Sequence, residues 1–282
     1  TPVTMPGTFG NGTAGVDLMQ LFIAPTYARS FGNGASLGIS PIIAAQSFEA
    51  RGLGNFAAFS SNPAALTDNG HDVSYGIGLK LGAQVPVGEN MRFGASYQSK
   101  IGMGELDDYA GLFEGQGDFD IPATATIGLA MDASDALTLA FDVQWIDYSG
   151  VDSIANPMLP NLMTAPLGAD GGPGFGWDDM TVYKLGASYD IGDDQTWHFG
   201  YSRGDQPLQE SEVLFNILAP GVVEQHFTLG YSGKTGNGNR WTVSAMYAPS
   251  EKVSGGNPLD PAQTIELSMD ELEFEFSYHF GR

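Results

Sequence analysis

The last stretch of the chain alternates strictly between apolar and polar side chains. In ELEFEFSYHF, residues 271–280, Leu, Phe and Tyr occupy every even position, and Glu, Ser and His occupy every odd one. Successive side chains of an extended strand point to opposite faces, so this segment would present one apolar face and one largely acidic face. The pattern predicts a β-strand whose two faces have different surroundings.

The same period of two recurs along most of the chain, without helical periodicity. It predicts about eleven strands, at residues 16–29, 35–50, 71–85, 90–104, 122–132, 135–148, 181–191, 195–204, 222–233, 239–249 and 269–281. Short connections rich in turn residues alternate with long ones at about 51–70, 105–121, 149–180, 205–221 and 250–268. This alternation is typical of an antiparallel up-and-down meander, whose long loops all lie at one end.

A soluble β-sandwich would show the same alternation, so the composition of the two faces distinguishes the interpretations. The polar faces are rich in Gly, Ser and Thr, and aromatic residues such as Tyr75, Trp145 and Trp241 concentrate near strand ends. Aromatic girdles and strands of about 9–11 residues indicate a barrel that crosses a membrane. We therefore expect an all-β, antiparallel up-and-down transmembrane β-barrel in the bacterial outer membrane, with its apolar faces against lipid.

The net charge of the chain and its potentially reactive residues limit the functions that it can have. The 282-residue chain carries 33 Asp and Glu against 11 Lys and Arg, a formal net charge of −22, and no cysteine. An acidic surface repels phosphate backbones, so we expect no nucleic-acid partner. The four histidines lack metal-ligand spacing, and no nucleophile motif occurs. We predict no catalytic residue, metal or cofactor, and interpret Asp118 and Asp120 as loop solvation, with Ca²⁺ binding left open.

Several stretches resemble the FadL/TodX family of outer-membrane transporters for long-chain fatty acids and hydrocarbons. The resemblance runs from about Ala14 to Phe280 and rests on the series IPAT (121–124), W-x-D-Y-S (145–149), DQP (205–207) and an aromatic terminal strand. It implies a 14-stranded barrel whose lumen is plugged by an N-terminal hatch. It also implies passive uptake through apolar sites, with a capture groove among the extracellular loops and a lateral exit beside a kinked early strand.

The chain departs from that family pattern in its strand count. About eleven strands would place the two chain ends on opposite sides of the membrane, whereas bacterial barrels have an even number. We therefore expect residues 1–282 to form a single barrel domain that begins with an extracellular loop remnant at 1–15. The N-terminal hatch and the first strands would be absent from this chain. SSNPAAL at 60–66 resembles a hatch signature, but its place in a long loop favours a turn at Asn62-Pro63.

The long loops contain more apolar residues than solvation requires. They either pack together as a cap or form a groove for a ligand, and the two roles are compatible. By the resemblance, the loops at 51–70 and 105–121 correspond to the capture groove. The predicted ligand-binding residues are Leu53, Phe56, Phe59, Leu66, Leu106, Tyr109, Leu112, Phe113 and Phe119.

The polar faces carry five of the eleven basic residues. The predicted polar residues of the lumen are Lys80, Arg92, Lys100, Lys184, Glu224, His226 and Arg240. Their basic members either guide a carboxylate headgroup or hold acidic hatch residues, or they pair with Asp142, Asp190 and Glu224 inside the lumen. His226 is interpreted as a hydrogen-bonded residue of the wall.

These expectations combine into an outer-membrane channel for passive uptake of fatty acids or hydrocarbons, without enzymatic activity. Burying an alkyl chain gains about 0.8 kcal/mol per CH₂, so apolar contacts alone give broad specificity and the sequence does not name the ligand. Expected partners are hydrophobic small molecules, outer-membrane lipid, lipopolysaccharide and the missing hatch, around a monomer. The alternatives are a structural or surface-interaction barrel without transport, or a polar porin with a wide aqueous pore.

Overall fold

The computed structural model describes residues 9–10, 12–236 and 238–280. Thirteen β-strands form one antiparallel sheet. They are β1 (Gly15–Ile23), β2 (Tyr27–Ser30), β3 (Ser36–Arg51), β4 (Asp72–Val87), β5 (Met91–Gln98), β6 (Gly102–Met103), β7 (Ala123–Ser134), β8 (Leu137–Asp147), β9 (Met180–Ile191), β10 (Gln195–Gly204), β11 (Gln225–Lys234), β12 (Arg240–Asn257) and β13 (Asp260–His279).

Eleven of these strands follow one another across the sheet in chain order, while β2 pairs with β3 beside β1, and β6 pairs with β4. This arrangement confirms the predicted antiparallel up-and-down meander. Among the described residues β1 and β13 do not pair, so the sheet is open between these two edges. The open, curved meander is consistent with part of a barrel, and the absence of a hatch and first strands stays a prediction.

The outward face of the sheet is a continuous band of exposed apolar side chains. Ile77 is 75% exposed and Phe274 is 74% exposed. The register keeps this face uniform, because Leu185 of β9 lies opposite Phe141 of β8 and Tyr201 of β10. A protein in water rarely exposes so large an apolar surface, whereas a transmembrane barrel places such a band against lipid.

Short helices occur in the long connections. They are α1 (Glu114–Gly117), α2 (Asp152–Ala155), α3 (Met158–Thr164) and α4 (Val213–Asn216), with 3₁₀ turns at Gly54–Phe59, Pro63–Ala65, Asp107–Tyr109, Tyr148–Gly150 and Glu210–Glu212. In the part of the chain described, no helix has the length and apolar character needed to cross a membrane. These connections pack together at one end of the sheet into a cap with its own apolar core.

Two predicted boundaries are wrong. The expected strand at 16–29 divides into β1 and β2 at residues 24–26, where Pro25 has no N–H for the ladder. The expected loop at 250–268 is instead the continuation of β12 and β13 as a long hairpin. Val253 and Leu267 on one face of this hairpin pack into the core of the cap. On the other face, Lys252 pairs with Glu266 at 2.6 Å.

The predicted strand at 90–104 contains a bulge that reverses its faces. Lys80 of β4 lies opposite Gln98, but Ile77 lies opposite Gly102, so β5 and β6 contain one extra residue between these pairs. An extra residue moves the following side chains to the other face of the sheet. Ile101, which the alternation places on the lipid face, is therefore fully buried against Ile42.

Glycine in β4 makes room for this reversed segment. A Cβ at Gly76 would lie 2.6 Å from the carbonyl oxygen of Gly102 and 2.3 Å from Met103 Sδ, whereas a Cβ at Gly102 would meet nothing within 4 Å. We expect Gly76→Ala to lower the free energy of unfolding by about 1–3 kcal/mol, because overpacking displaces the backbone of the bulge. Urea titration in detergent measures this change. The matched variant Gly102→Ala should stay within about 0.5 kcal/mol of the parent, and equal effects would contradict the packing described.

Candidate functional site

The cap contains an apolar cavity that measures about 520 Å³ out to its open mouth, of which about 40 Å³ is enclosed. Its lining comes from five parts of the chain and consists of Phe9, Val16, Phe48, Leu53, Phe56, Leu112, Phe113, Ser153, Leu167, Pro173, Gly174, Phe175, Phe215 and Leu218. No side chain in this lining carries a charge. Concave, mostly apolar spaces without charged side chains are typical of small-molecule sites.

Aromatic rings form much of the cavity wall and contact each other edge to face. The ring centroids of Phe48 and Phe113 lie 4.9 Å apart, and those of Phe56 and Phe215 lie 5.5 Å apart. Phe9 packs on Phe56 from the N-terminal side, at 5.5 Å. Such contacts add about 0.5–1.5 kcal/mol per pair beyond the burial of area, so the walls hold a defined shape.

Hydrogen bonds between neighbouring connections hold in place the segments that carry these rings. Ser60 Oγ donates to the carbonyl of Gly111 at 2.7 Å, and Ser61 Oγ donates to that of Leu167 at 2.9 Å. Tyr109 Oη donates to the carbonyl of Gly70 at 2.5 Å. Gly52 has a φ of 72°, and a Cβ there would lie 2.5 Å from Thr13 O, so only glycine fits this turn beside Leu53.

The structure brings together eight of the nine predicted groove residues. Leu53, Phe56, Leu112 and Phe113 line the cavity directly. Leu66, Leu106, Tyr109 and Phe119 belong to the same apolar core or pack against it. Phe59, by contrast, is 43% exposed and does not line the cavity. Whether any of these residues binds a ligand stays a prediction.

Sequence reasoning missed the other half of the cavity wall. Leu167 and Phe175 come from the connection at 149–180, and Phe215 and Leu218 from that at 205–221. The apolar content of both connections was a visible signal, but nothing local shows that they fold over the first two loops. Phe48 belongs to β3, and Phe9 comes from the segment expected to be a loop remnant.

The predicted polar residues of the lumen lie apart from the cavity. Arg92 pairs with Asp132 at 3.3 Å and Lys100 with Asp120 at 2.8 Å. Lys184 donates to Gln144 Oε1 at 2.7 Å. None of these residues lines the cavity, and Arg92 and Lys100 already have carboxylate partners, so no common headgroup site forms at them.

The remaining polar candidates are also dispersed. Glu224 pairs with Arg203 at 4.0 Å, and His226 Nδ1 contacts Ser202 Oγ at 3.5 Å. Lys80 and Arg240 form no ion pair or side-chain hydrogen bond with the described residues. Within the described ranges no group of three or more His, Asp or Glu side chains is close enough to hold a metal ion.

A buried polar layer separates the cavity from a second apolar cluster further along the inner face. Gln46 is almost fully buried, and its Nε2 donates to Ser74 Oγ at 3.0 Å and to the carbonyl of Phe119 at 3.1 Å. Beyond it lie Ile42 and Ile101, beside the β5–β6 bulge. The inner face therefore offers two apolar regions, one in the cap and one against the wall.

The sequence matches the family described as outer membrane protein transport protein (OMPP1/FadL/TodX) over residues 16–231, which is most of the chain. The chain belongs to the FadL/TodX family. The resemblance noted in the sequence is thereby confirmed. This FadL/TodX-family protein is placed in the bacterial outer membrane, and its family consists of transport proteins rather than enzymes. No curated protein matches the chain.

Solved structures share the fold at low identity. The TodX deltaS2S3 mutant monoaromatic hydrocarbon channel is 20% identical, with a TM-score of 0.70 over 95% of this chain and 72% of that one. The Pseudomonas putida toluene transporter TodX is 18% identical, with a TM-score of 0.68 over 95% and 71%. The CymD monoaromatic hydrocarbon channel is 18% identical, with a TM-score of 0.63 over 96% and 77%.

A carboxylate pair lies directly beside the cavity, in the connection that precedes β7. Ser153, which lines the cavity, donates to the carbonyl of Asp118. Burial, together with the adjacent charge of Asp120, raises the pKa of the Asp118 carboxyl from 3.8 to about 6, although the charge of Lys100 opposes the shift. A raised carboxyl pKa means that the folded protein binds this proton more tightly than the unfolded chain does.

We expect this carboxyl group to make the cap less stable as pH rises. Because the folded-state pKa is the higher one, the favourable contribution is present below about pH 4 and is lost between about pH 4 and pH 6. Asp118→Asn should therefore gain stability relative to the parent as pH rises through this window. Urea unfolding at pH 4, 5, 6 and 7 measures the difference. Asp107→Asn, at an exposed position of the same connection, is the control, and a pH-independent Asp118→Asn difference would contradict the assignment.

Proposed function

We propose that this FadL/TodX-family protein takes up neutral hydrophobic compounds passively across the outer membrane, and that compact aromatic hydrocarbons are its preferred ligands. The observation that carries the proposal is the cavity of the cap, which is lined by phenylalanine and aliphatic side chains without a charged group. Ligand would enter this cavity from outside and continue along the inner face of the sheet.

The lining favours a neutral ligand over a carboxylate. Moving an ionised carboxylate into an apolar site without a partner costs several kcal/mol. Arg92 and Lys100, the basic residues once expected to hold such a headgroup, are paired with Asp132 and Asp120 and lie outside the cavity lining. For a long-chain fatty acid, the headgroup would therefore weaken binding, and only the apolar tail would strengthen it.

The size of the site favours a compact ligand. The enclosed part of the cap measures only about 40 Å³, whereas a benzene-sized molecule needs an apolar cavity of about 150 Å³. The walls must therefore separate to admit even one ring, and a compact ligand requires the smallest displacement. Burying about 150 Å² of an aromatic ring at about 25 cal/mol per Å² gives about 4 kcal/mol, enough for capture in the millimolar range. The printed names of TodX and CymD as monoaromatic hydrocarbon channels also support this choice of ligand class.

The proposed route leaves the cavity past Gln46. Ile42, Ala44 and Ile101 continue the apolar surface beyond that side chain, next to the strand break between β5 and β6. A break in the wall beside buried apolar residues supports a lateral exit here, as the resemblance implies. Contacts with lipopolysaccharide, a hatch partner and a monomeric state stay predictions.

A matched pair of ligands tests the proposal. Toluene and benzoate share one ring, but benzoate carries a charge at pH 7. We expect purified protein in detergent to bind toluene at least tenfold more tightly than benzoate, measured by calorimetry or competition. Leu112→Trp, which fills the cavity, should weaken toluene binding at least tenfold, because the added ring occupies the ligand space.

The control variant is Phe59→Trp, which makes a similar change on the exposed side of the same cap. It should leave toluene affinity within about twofold of the parent. Equal or tighter binding of benzoate would overturn the choice of neutral ligands. Unchanged toluene binding in Leu112→Trp would move the site elsewhere, and no binding of either compound would favour the structural barrel.

A further inference from the structure

One wall of the cavity is held in place by polar side chains that do not touch the ligand space. Phe215 and Leu218, from the 205–221 connection, face Phe175 of the 149–180 connection across the lining. The residue after Phe215 is Asn216, which is fully buried behind this wall. A buried amide must find hydrogen-bond partners, so its contacts define how the two connections meet.

Asn216 joins the two connections with each end of its amide. Its Nδ2 donates to the carbonyl of Phe175 at 2.7 Å and to the carbonyl of Glu212 at 2.8 Å. Its Oδ1 accepts from Trp177 Nε1 at 2.6 Å. One side chain therefore fixes the backbone of Phe175, a cavity residue, at hydrogen-bond distance from the residue next to Phe215.

Glu212 makes a second link between the same two connections. It is buried, and its Oε2 accepts from the backbone N–H of Met158 at 2.8 Å. Its stem lies over Gly176, where a Cβ would come within 2.3 Å of Glu212 Cγ. Glu212 directly precedes α4 and Asn216 is its last residue, four positions later, so the two polar side chains lie on the same side of this segment.

The remaining face of α4 has independent support. Val213 and Leu214 are fully buried in the core of the cap, together with Val253 and Leu267 of the long β12–β13 hairpin. Loss of the Asn216 hydrogen bonds would therefore leave the helix anchored, and Glu212 and the backbone bonds of Gly174 and Gly176 to Asn156 would hold the rest of the 149–180 connection. The link that is lost is the one between α4 and the Phe175 carbonyl, so the position of Phe175 in the cavity wall depends on Asn216 in particular.

We propose that Asn216 is a positioning residue that sets the width of the cavity and thereby selects compact over bulky ligands. The proposal rests on the proposed function, because it assigns selectivity to the same cavity. With Phe175 held close the enclosed space stays small, at about 40 Å³, so only a small outward shift of the walls is available to a ligand. Loss of the hydrogen bonds to Asn216 lets Phe175 move outward and widens the space. Selectivity then depends on an amide that lies outside the lining.

The first test compares Asn216→Leu with its parent, using toluene as the compact ligand and naphthalene as the bulky one. Leucine keeps the branching at Cγ and the number of side-chain heavy atoms, although it is bulkier, and it makes none of the three hydrogen bonds. We expect the Kd for toluene to rise at least tenfold, while that for naphthalene changes less than threefold. Asn161→Leu is the control, because its amide bonds the carbonyls of Gly171 and Gly172 within the 149–180 connection and does not reach Phe175. It should leave both affinities within twofold.

The second test uses rescue by pH. In Asn216→Asp, an ionised carboxylate cannot donate to the carbonyls of Phe175 and Glu212, but the neutral acid can donate to one of them. Toluene affinity of this variant should recover toward that of the parent between pH 7.5 and pH 4.5, and that of Asn216→Leu should not. Glu212 and Asp118 also carry carboxyl groups, but both variants contain them, so their titration affects the toluene affinity of both variants alike.

The outcomes separate the two proposals. A uniform loss of both ligands in Asn216→Leu, with no rescue in Asn216→Asp, would show that Asn216 supports only the fold and would overturn its positioning role. Unchanged affinities would overturn it equally. Failure of the parent protein to bind toluene would instead overturn the proposed function itself.

Discussion

Every backbone N–H and C=O in the hydrocarbon interior of a membrane must find its partner within the protein, because no water is available there. Along eleven consecutive strands this chain meets that constraint with antiparallel ladders between chain neighbours. The ladder imposes a period of two on the side chains, so one face contacts lipid and the other lines the interior. Glu271, Glu273 and Glu275 of β13 can be tolerated in a membrane protein only because alternation places them on the inner face. The exposed Leu272 and Phe274 lie on the other face of the same strand.

The cavity follows from the same arrangement. Short turns leave one end of the sheet bare, and the long connections gather at the other end, where their apolar residues can bury only one another. Serine, tyrosine and asparagine side chains then bond the backbones of neighbouring connections, as Ser60, Tyr109 and Asn216 do. These bonds fix the positions of the connections that carry the aromatic walls. Gln46 interrupts the apolar inner surface between the cap and the β5–β6 bulge.

Period-two alternation was enough to predict the fold class and seven strands close to their observed positions, whereas the family resemblance rested on short motifs. The prediction failed where a bulge moves side chains to the other face of the sheet, and where two strands are longer than the pattern indicated. One extra residue before Ile101 reverses a face, and no residue in that segment is unusual for a strand. The hairpin at 250–268 carries Ser, Gly and Asn, which suit a loop, yet Val253 and Leu267 find a core there. Half of the cavity was missed because loop-on-loop packing is a long-range property that no local pattern encodes.

The placement of the apolar face against lipid supports every later inference, and the absence of cysteine makes it directly measurable. Single nitroxide labels at residues 183 to 188 of β9, in protein reconstituted into liposomes, report collisions with oxygen, which concentrates in lipid, and with a water-soluble nickel chelate. The account predicts a period of two, with high oxygen accessibility at Tyr183, Leu185 and Ala187 and high nickel accessibility at Lys184, Gly186 and Ser188. Labels at the odd positions that are inaccessible to both reagents would show a face packed against protein and would contradict it.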